Sequence, residues 1–227
     1  MCSIEGLDVA DTVITFGGSS KQIGLIVRGK QSTDHHPDNL AQHADVILSD
    51  GSPIGFYGQG NDQSGNAIGL RMQGVVWDYA DMKISRPWYV DVDSAVANRV
   101  VSTVLLIDVD QATADRFEQA WDKMTLSPGD FNILGGNCST HASAAFIAAG
   151  VVKVEIPGLD TPDHLYIQLT DTVPGSRQHS YTGYIGFDPV PTGGYRLIIR
   201  PYVASPTVNA PNPGKSGSLA TNSSAMS

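Results

Sequence analysis

The segment Gly135-Gly136-Asn137-Cys138-Ser139-Thr140-His141-Ala142-Ser143-Ala144-Ala145-Phe146-Ile147-Ala148-Ala149-Gly150 reads as a tight glycine turn followed by a helix that a cysteine opens. Asn137 or Ser139 can act as N-cap, which puts Cys138 in or next to the first turn. The residues behind it are small and helix-permissive, and Gly150 suits a left-handed C-terminal position. Unpaired N–H groups and the helix dipole favour negative charge at such a start. A thiol there is pushed toward thiolate, the form that attacks a carbonyl carbon. Cys138 is therefore read as a nucleophile; a small buried thiol is the other fate of a lone cysteine.

Phe117, Ala120, Trp121 and Met124 recur at helical spacing just upstream, with Asp110 or Thr113 as caps, and Ser127-Pro128-Gly129-Asp130 ends that helix. Val100 to Ile107 is apolar and β-rich enough for a central strand. His43-Ala44-Asp45-Val46-Ile47-Leu48, a turn on Asp50-Gly51, and Ile54 to Gly58 read as a hairpin with His43 where the first strand begins. Val13 to Phe16 and Ile23 to Val27 read as strands around the turn Gly17-Gly18-Ser19-Ser20, and a further strand is expected around Gly74 to Trp77. Beyond Gly150, Leu165 to Leu169 and Tyr195 to Ile199 are strand candidates. Gly60–Gly65 and Ala80–Trp88 are read as loops beside the site. From Ser205 the chain is Ser, Asn, Pro, Gly, Ala and Thr with almost no charge, which builds no core. The expected organisation is one catalytic domain with insertions over residues 1–204 and a polar, flexible tail over 205–227.

With 227 residues, 41% of them hydrophobic, the chain can bury one good-sized core. A formal net charge of −9 argues against nucleic acid and anionic lipid as partners. No apolar run is long enough to span a bilayer, and Met1 to Gly6 lacks the basic and apolar regions of a signal peptide. The expectation is synthesis in the cytoplasm, with export, if any, through a machine that needs no cleaved signal. The two cysteines, Cys2 and Cys138, form no paired zinc pattern. Asp34-His35-His36-Pro37-Asp38 could hold a metal but lacks further ligand spacing, so a solvated loop is expected. Asp91, Asp93 and Asn98 resemble part of a calcium loop without its glycine and closing glutamate. No cofactor or metal is expected.

A cysteine nucleophile needs a base in hydrogen-bond reach and usually a third group to orient it. Of six histidines, His141 is close on the same helix but lies along its surface, His35 and His36 are in a loop, and His164 and His179 are in poorly defined stretches. His43, on a strand, is the most rigidly held candidate.

The hairpin motif, with Gly55-Phe56-Tyr57, resembles the histidine hairpin of circularly permuted NlpC-type papain-like proteins. Gly136 to Ala142, closing on Ala148-Ala149-Gly150-Val151, resembles that group's cysteine helix, and histidine precedes cysteine as in the permuted form. The resemblance covers about residues 40–60 and 115–152. It implies an α+β fold, a small antiparallel sheet packed on the cysteine helix, and amide cleavage through a thioester by a Cys138–His43 dyad. The third member stays open: the family places a polar residue on the strand after the histidine, where Gln59 stands, and Asp11, Asp34, Asp38 and Asp45 are acidic alternatives. Asp45 shares an ideal strand face with His43, although such a carboxylate is more often solvated.

The group includes peptidoglycan amidases, lipid acyltransferases, and protein deamidases or isopeptidases. An acidic chain without a membrane-binding element leans toward peptide bonds of peptidoglycan. A wall-cutting enzyme with this N-terminus fits a type VI secretion effector acting in a target periplasm. Its partners would be an immunity protein and a secretion-apparatus carrier. A non-catalytic binding module, indifferent to Cys138→Ala, and a hydrolase using metal on His35, His36 and His43 are the other readings.

Overall fold

A computed structural model describes residues 10–18, 20–34, 42–59, 71–132, 136–153 and 161–202. Its centre is one antiparallel sheet. In chain order the strands are β1 (Thr12–Thr15), β2 (Lys21–Arg28), β3 (His43–Ile47), β4 (Pro53–Gln59), β5 (Arg71–Trp77), β6 (Val101–Val109), β7 (Asp130–Asn132), β8 (Gln178–Pro189) and β9 (Tyr195–Pro201). Across the sheet they lie in the order β1-β9-β8-β6-β2-β3-β4-β5-β7. The helices among the described residues are α1 (Tyr79–Ser85), α2 (Val92–Asn98), α3 (Gln111–Leu126), α4 (Cys138–Ala148) and α5 (Pro162–Thr172). Among the described residues, no helix is long and apolar enough to cross a membrane.

Both faces of the sheet are covered, so the middle strands are apolar on both sides rather than alternating. Ile23, Leu25, Val27, Ala44, Val46, Leu105 and Ile107 form one core with Phe117 and Trp121 of α3, Phe146 of α4 and Leu165 and Leu169 of α5. Ile26, Ile47, Tyr57, Val104 and Leu106 form the other, with Met82 of α1, and Tyr89 and Val90 before α2. The α+β class holds and the cysteine helix packs on the sheet, but the sheet is not small: among the described residues it has nine strands and lies between two helical layers.

The cysteine segment, the α3 helix, the central strand and the hairpin form as their residues dictate. Asp110 caps α3 through Thr113 N–H, and Asn137 caps α4 through Thr140 N–H. Gly150 has φ +79° and Gly51, in the hairpin turn, φ +88°. Other elements differ from expectation. Val13 and Ile14 lie on a strand, but β1 pairs with β9 and not with β2. Four strand spacings separate β1 from β2, roughly 19 Å, too far for a tight turn at residues 17–20.

Leu165 to Leu169 lies in helix α5 rather than a strand. Thr161 caps α5 through His164 N–H, Pro162 opens it, and Leu165, Tyr166 and Leu169 bury one face at helical spacing. Residues 80–88 are not a loop either. Asp78 and Asp81 form a reciprocal capping box that starts α1, and Pro87–Tyr89 forms a 3-10 turn. Asp91, read against a calcium loop, caps α2. The expected loop at 60–65 and the tail from 205 lie outside the described residues.

Candidate active site

Cys138 is the first residue of α4, 6% exposed, and its thiol faces strand β3. The reason lies in how β3 and β4 pair. They are in register only from Asp45 to Ile47 against Pro53 to Gly55, and beyond Gly55 the ladder of β4 runs with β5 alone. The N–H of Ala44 is thus left without a partner on β4, and it donates to Cys138 Sγ at 3.4 Å. Two residues 94 positions apart are joined there.

His43 begins β3, and Asp45 stands two residues on. Side chains two apart on a strand share a face, as do residues directly opposite on paired strands. His43, Asp45, Gly55 and Tyr57 therefore share one face, while Ala44 and Val46 point to the side on which α4 packs. His43 Nε2 lies 2.8 Å from Asp45 Oδ1. The charge of Cys138 acts on the same ring, and Nδ1 is the ring nitrogen that Asp45 leaves open. Cys138 comes from one helical layer, and His43 is anchored among groups of the other.

Asp45 is wholly buried and fully occupied. Tyr57 Oη donates to Oδ1 at 2.6 Å, and Arg28 Nε donates to Oδ2 at 2.8 Å. Arg28 is 2% exposed, and its guanidinium lies 4.6 Å from the ring centre of Tyr89. The His43 ring stacks on Tyr57 at 4.4 Å and on Tyr89 at 5.8 Å. Gly55 leaves room for this arrangement, because a Cβ there would overlap Asp45 Oδ1.

These contacts move the proton affinities. Burial pulls His43 down, but the charges of Cys138 and then Asp45, with their hydrogen bonds, outweigh it and hold the imidazole well above its ordinary value. Burial pushes Cys138 up, but the neighbouring imidazolium, its hydrogen bond and the Ala44 N–H bring the thiol below its ordinary value. For Asp45 burial is overcome by His43 and Arg28, so it stays ionised far into acid. Burial, then Asp45, raises Tyr57, which remains a donor. The arrangement favours a thiolate–imidazolium pair, which titrates as a unit.

Among the described acids weighed as orienter, Asp45 is the one in contact with His43. Gln59 is exposed at the far end of β4, opposite Gln73. Asp11 pairs with Arg200, and the Asp34 carbonyl accepts from Lys30 Nζ. Asp38, His35 and His36 lie outside the described residues. His141 Nδ1 and Nε2 face the carbonyls of Asn137 and Pro128 at 3.1 and 3.3 Å, and its ring stacks on Phe56. His179 faces Asp108, and His164 is in the first turn of α5. Among the described residues no group of three or more His, Cys, Asp or Glu is arranged to hold a metal.

Arg28, Tyr57 and Tyr89 received no role from the sequence. A signal for the first was present. Arg28 ends the apolar run of β2, and Asp45 interrupts the apolar run of β3. Two opposite charges embedded in buried strands need each other.

No protein-family model matches the chain, and no curated protein matches it. Among solved structures, the crystal structure of a type VI secretion system effector, TseH, aligns over 81% of this chain and 100% of its own, with 12% identity and a TM-score of 0.42. At that identity and TM-score the likeness carries no argument about this chain's architecture or activity.

Proposed function

We propose that the chain is a cysteine amidase or endopeptidase of permuted NlpC-type, papain-like design, with Cys138 as nucleophile, His43 as general base and acid, and Asp45 as the group that orients His43. The observation that carries this reading is the line Cys138–His43–Asp45, with the thiol on a helix start and the carboxylate fully buried. His43 Nδ1 takes the thiol proton, and sulfur attacks the amide carbonyl. The oxyanion is received by N–H groups at the start of α4. The imidazolium protonates the leaving amine, so the C–N bond breaks and a thioester remains. His43 then deprotonates a water, which releases the acid and restores the thiol. Asp45 stabilises the imidazolium throughout, and Arg28 and Tyr57 keep Asp45 ionised and oriented.

The substrates we propose are peptide amides of peptidoglycan, in stem peptides or cross-links, cut by an antibacterial effector in a target periplasm. An immunity protein that occludes the cleft would be its partner. The support for this substrate is the family resemblance of the hairpin and cysteine helix.

The test is digestion of purified peptidoglycan by wild type and by Cys138→Ala, with products identified by mass spectrometry. New muropeptides from wild type alone are expected, and their masses name the bond. Identical profiles would remove peptidoglycan as substrate; protein deamidation, isopeptide cleavage and acyl transfer would then be assayed with the same pair. Export to the periplasm should cause lysis, with little harm from protein kept in the cytosol. Toxicity confined to the cytosol would point to a protein substrate instead.

A further inference from the structure

Arg86 stands between α1 and the 3-10 turn, and its backbone is held on both sides. Its N–H donates to Met82 O at 2.7 Å, and its carbonyl accepts from Tyr89 N–H at 2.9 Å. Its half-buried guanidinium lies 5.3 Å from the ring centre of Tyr57, 5.8 Å from Trp77 and 5.5 Å from Tyr89. Tyr57 and Tyr89 are also the rings that stack on His43. Nη1 donates to Tyr89 Oη at 3.2 Å. A guanidinium has five N–H donors, and among the described residues no carboxylate meets this one.

The charges around the site do not cancel. Arg28 and Arg86 both lie against Tyr89, and Asp45 is the carboxylate that answers Arg28. The thiolate and imidazolium neutralise each other, which leaves Arg86 uncompensated among the described residues, on a chain of net charge −9. A planar guanidinium ordered on aromatic rings has little conformational entropy left to lose, and it matches a carboxylate with two parallel bonds. A neutral peptide would have no use for it.

We propose that Arg86 is a specificity residue that binds a substrate carboxylate near the scissile amide; this rests on the hydrolase reading above. Arg86 lies 5.3 Å from the Tyr57 ring, and that ring 4.4 Å from His43, so the carboxylate sits no more than about three extended residues from the bond cut. Stem peptides carry carboxylates at that spacing, on the γ-linked glutamate and on the diamino acid.

The experiment uses two synthetic stem tetrapeptides that differ only in having those carboxylates free or converted to carboxamides. Binding to full-length Cys138→Ala protein is measured by titration calorimetry, alone and combined with Arg86→Gln or Arg86→Lys. The free-carboxylate peptide should bind at least tenfold more tightly than its carboxamide. That preference should fall below twofold with Arg86→Gln and survive in part with Arg86→Lys. In turnover, Arg86→Gln should lose at least tenfold in kcat/KM on the carboxylate, mostly through KM. If Arg86→Gln fails to fold, the comparison of the two peptides on unaltered Arg86 still decides. Equal binding of the two, binding of neither, or a preference that survives Arg86→Gln overturns the proposal. Thiol-dependent peptidoglycan cleavage with no carboxylate preference would sink this proposal alone; absence of that cleavage removes the peptidoglycan reading on which it rests.

Discussion

His43 and His141 both lie beside Cys138, one at the start of β3 and the other one turn along α4, and each stacks on an aromatic side chain of β4. His43 rests on Tyr57 at 4.4 Å and His141 on Phe56 at 3.5 Å. Phe56 and Tyr57 are consecutive on a strand, so they serve opposite faces of the sheet. Burial lowers both imidazoles. His43 has a thiolate and a carboxylate to reverse that, and its affinity for a proton ends well above ordinary. His141 has two backbone carbonyls, of which a neutral ring can donate to one, and it ends below ordinary. Proximity to the cysteine and an aromatic neighbour are common to both. The anionic partners are what raise the proton affinity of one and not the other.

The sharpest way to break this contrast is to delete each ring. His43→Ala should reduce kcat/KM on a peptide amide by about 10²- to 10⁴-fold, whereas His141→Leu should stay within about threefold once folded fraction is accounted for. Comparable losses from both would show that His141 takes part in the chemistry.

Asp45→Asn tests the carboxylate alone. It leaves the ring in place but removes its counter-charge, and a fall of about a hundredfold or more in kcat is expected. The alkaline limb of the pH–rate profile should move down, because the group that holds the imidazolium protonated is gone. Arg28 is then buried without its anion, so unfolding in urea should report a loss of about 3–5 kcal/mol. An unchanged alkaline limb would separate Asp45 from the titration of His43.

Gly55→Ala perturbs the same carboxylate without changing a charge. The new Cβ collides with Asp45 Oδ1, and a displacement near 1 Å should cost about ten- to a hundredfold in kcat. Gly150→Ala, at the end of α4 where a Cβ meets nothing but φ is +79°, should affect stability by about 1 kcal/mol and leave kcat alone.

The smallest effect is in stability against pH, and its sign differs between the two rings. His43 is raised, so the stability it contributes is complete below about pH 6.5 and is lost as pH rises through its folded pKa. His141 is lowered, so its contribution is present above about pH 6.5 and is lost as pH falls through its folded pKa. Urea unfolding across pH should show that His141→Leu flattens the acid side and His43→Ala the alkaline side. Shifts on the same side for both would contradict the opposite environments.

The hairpin and the cysteine helix were legible because their signals are local. Asn137 reaches Thr140 three residues away, and Asp50-Gly51 supplies the turn between β3 and β4 from within the hairpin, although Tyr195 N–H also donates to the Asp50 carbonyl. The failures have local causes too. Leu165 to Leu169 is apolar enough for a strand, and its helical period shows only when Thr161 and Pro162 are counted as its start. The α1 capping box joins Asp78, next to the strand expected at Gly74 to Trp77, to Asp81 in the stretch that reads as a loop, so its two halves fall in different segments.

The chain's own order of residues was enough to place a thiol on a helix start and a histidine on a strand, because caps, turns and periodicity depend on neighbours a few positions away. It left the orienting group among five candidates, and Arg28 and Arg86 without a role. Those assignments required the fold. Whether Asp45 is a solvated charge or a buried anion depends on what covers it, and what covers it comes from Arg28 seventeen residues before and Tyr57 twelve after. Whether the Ala44 N–H reaches Cys138 depends on two strands parting at Gly55. Burial and the spacing of charges set proton affinities, and both are properties of the packed molecule rather than of any segment.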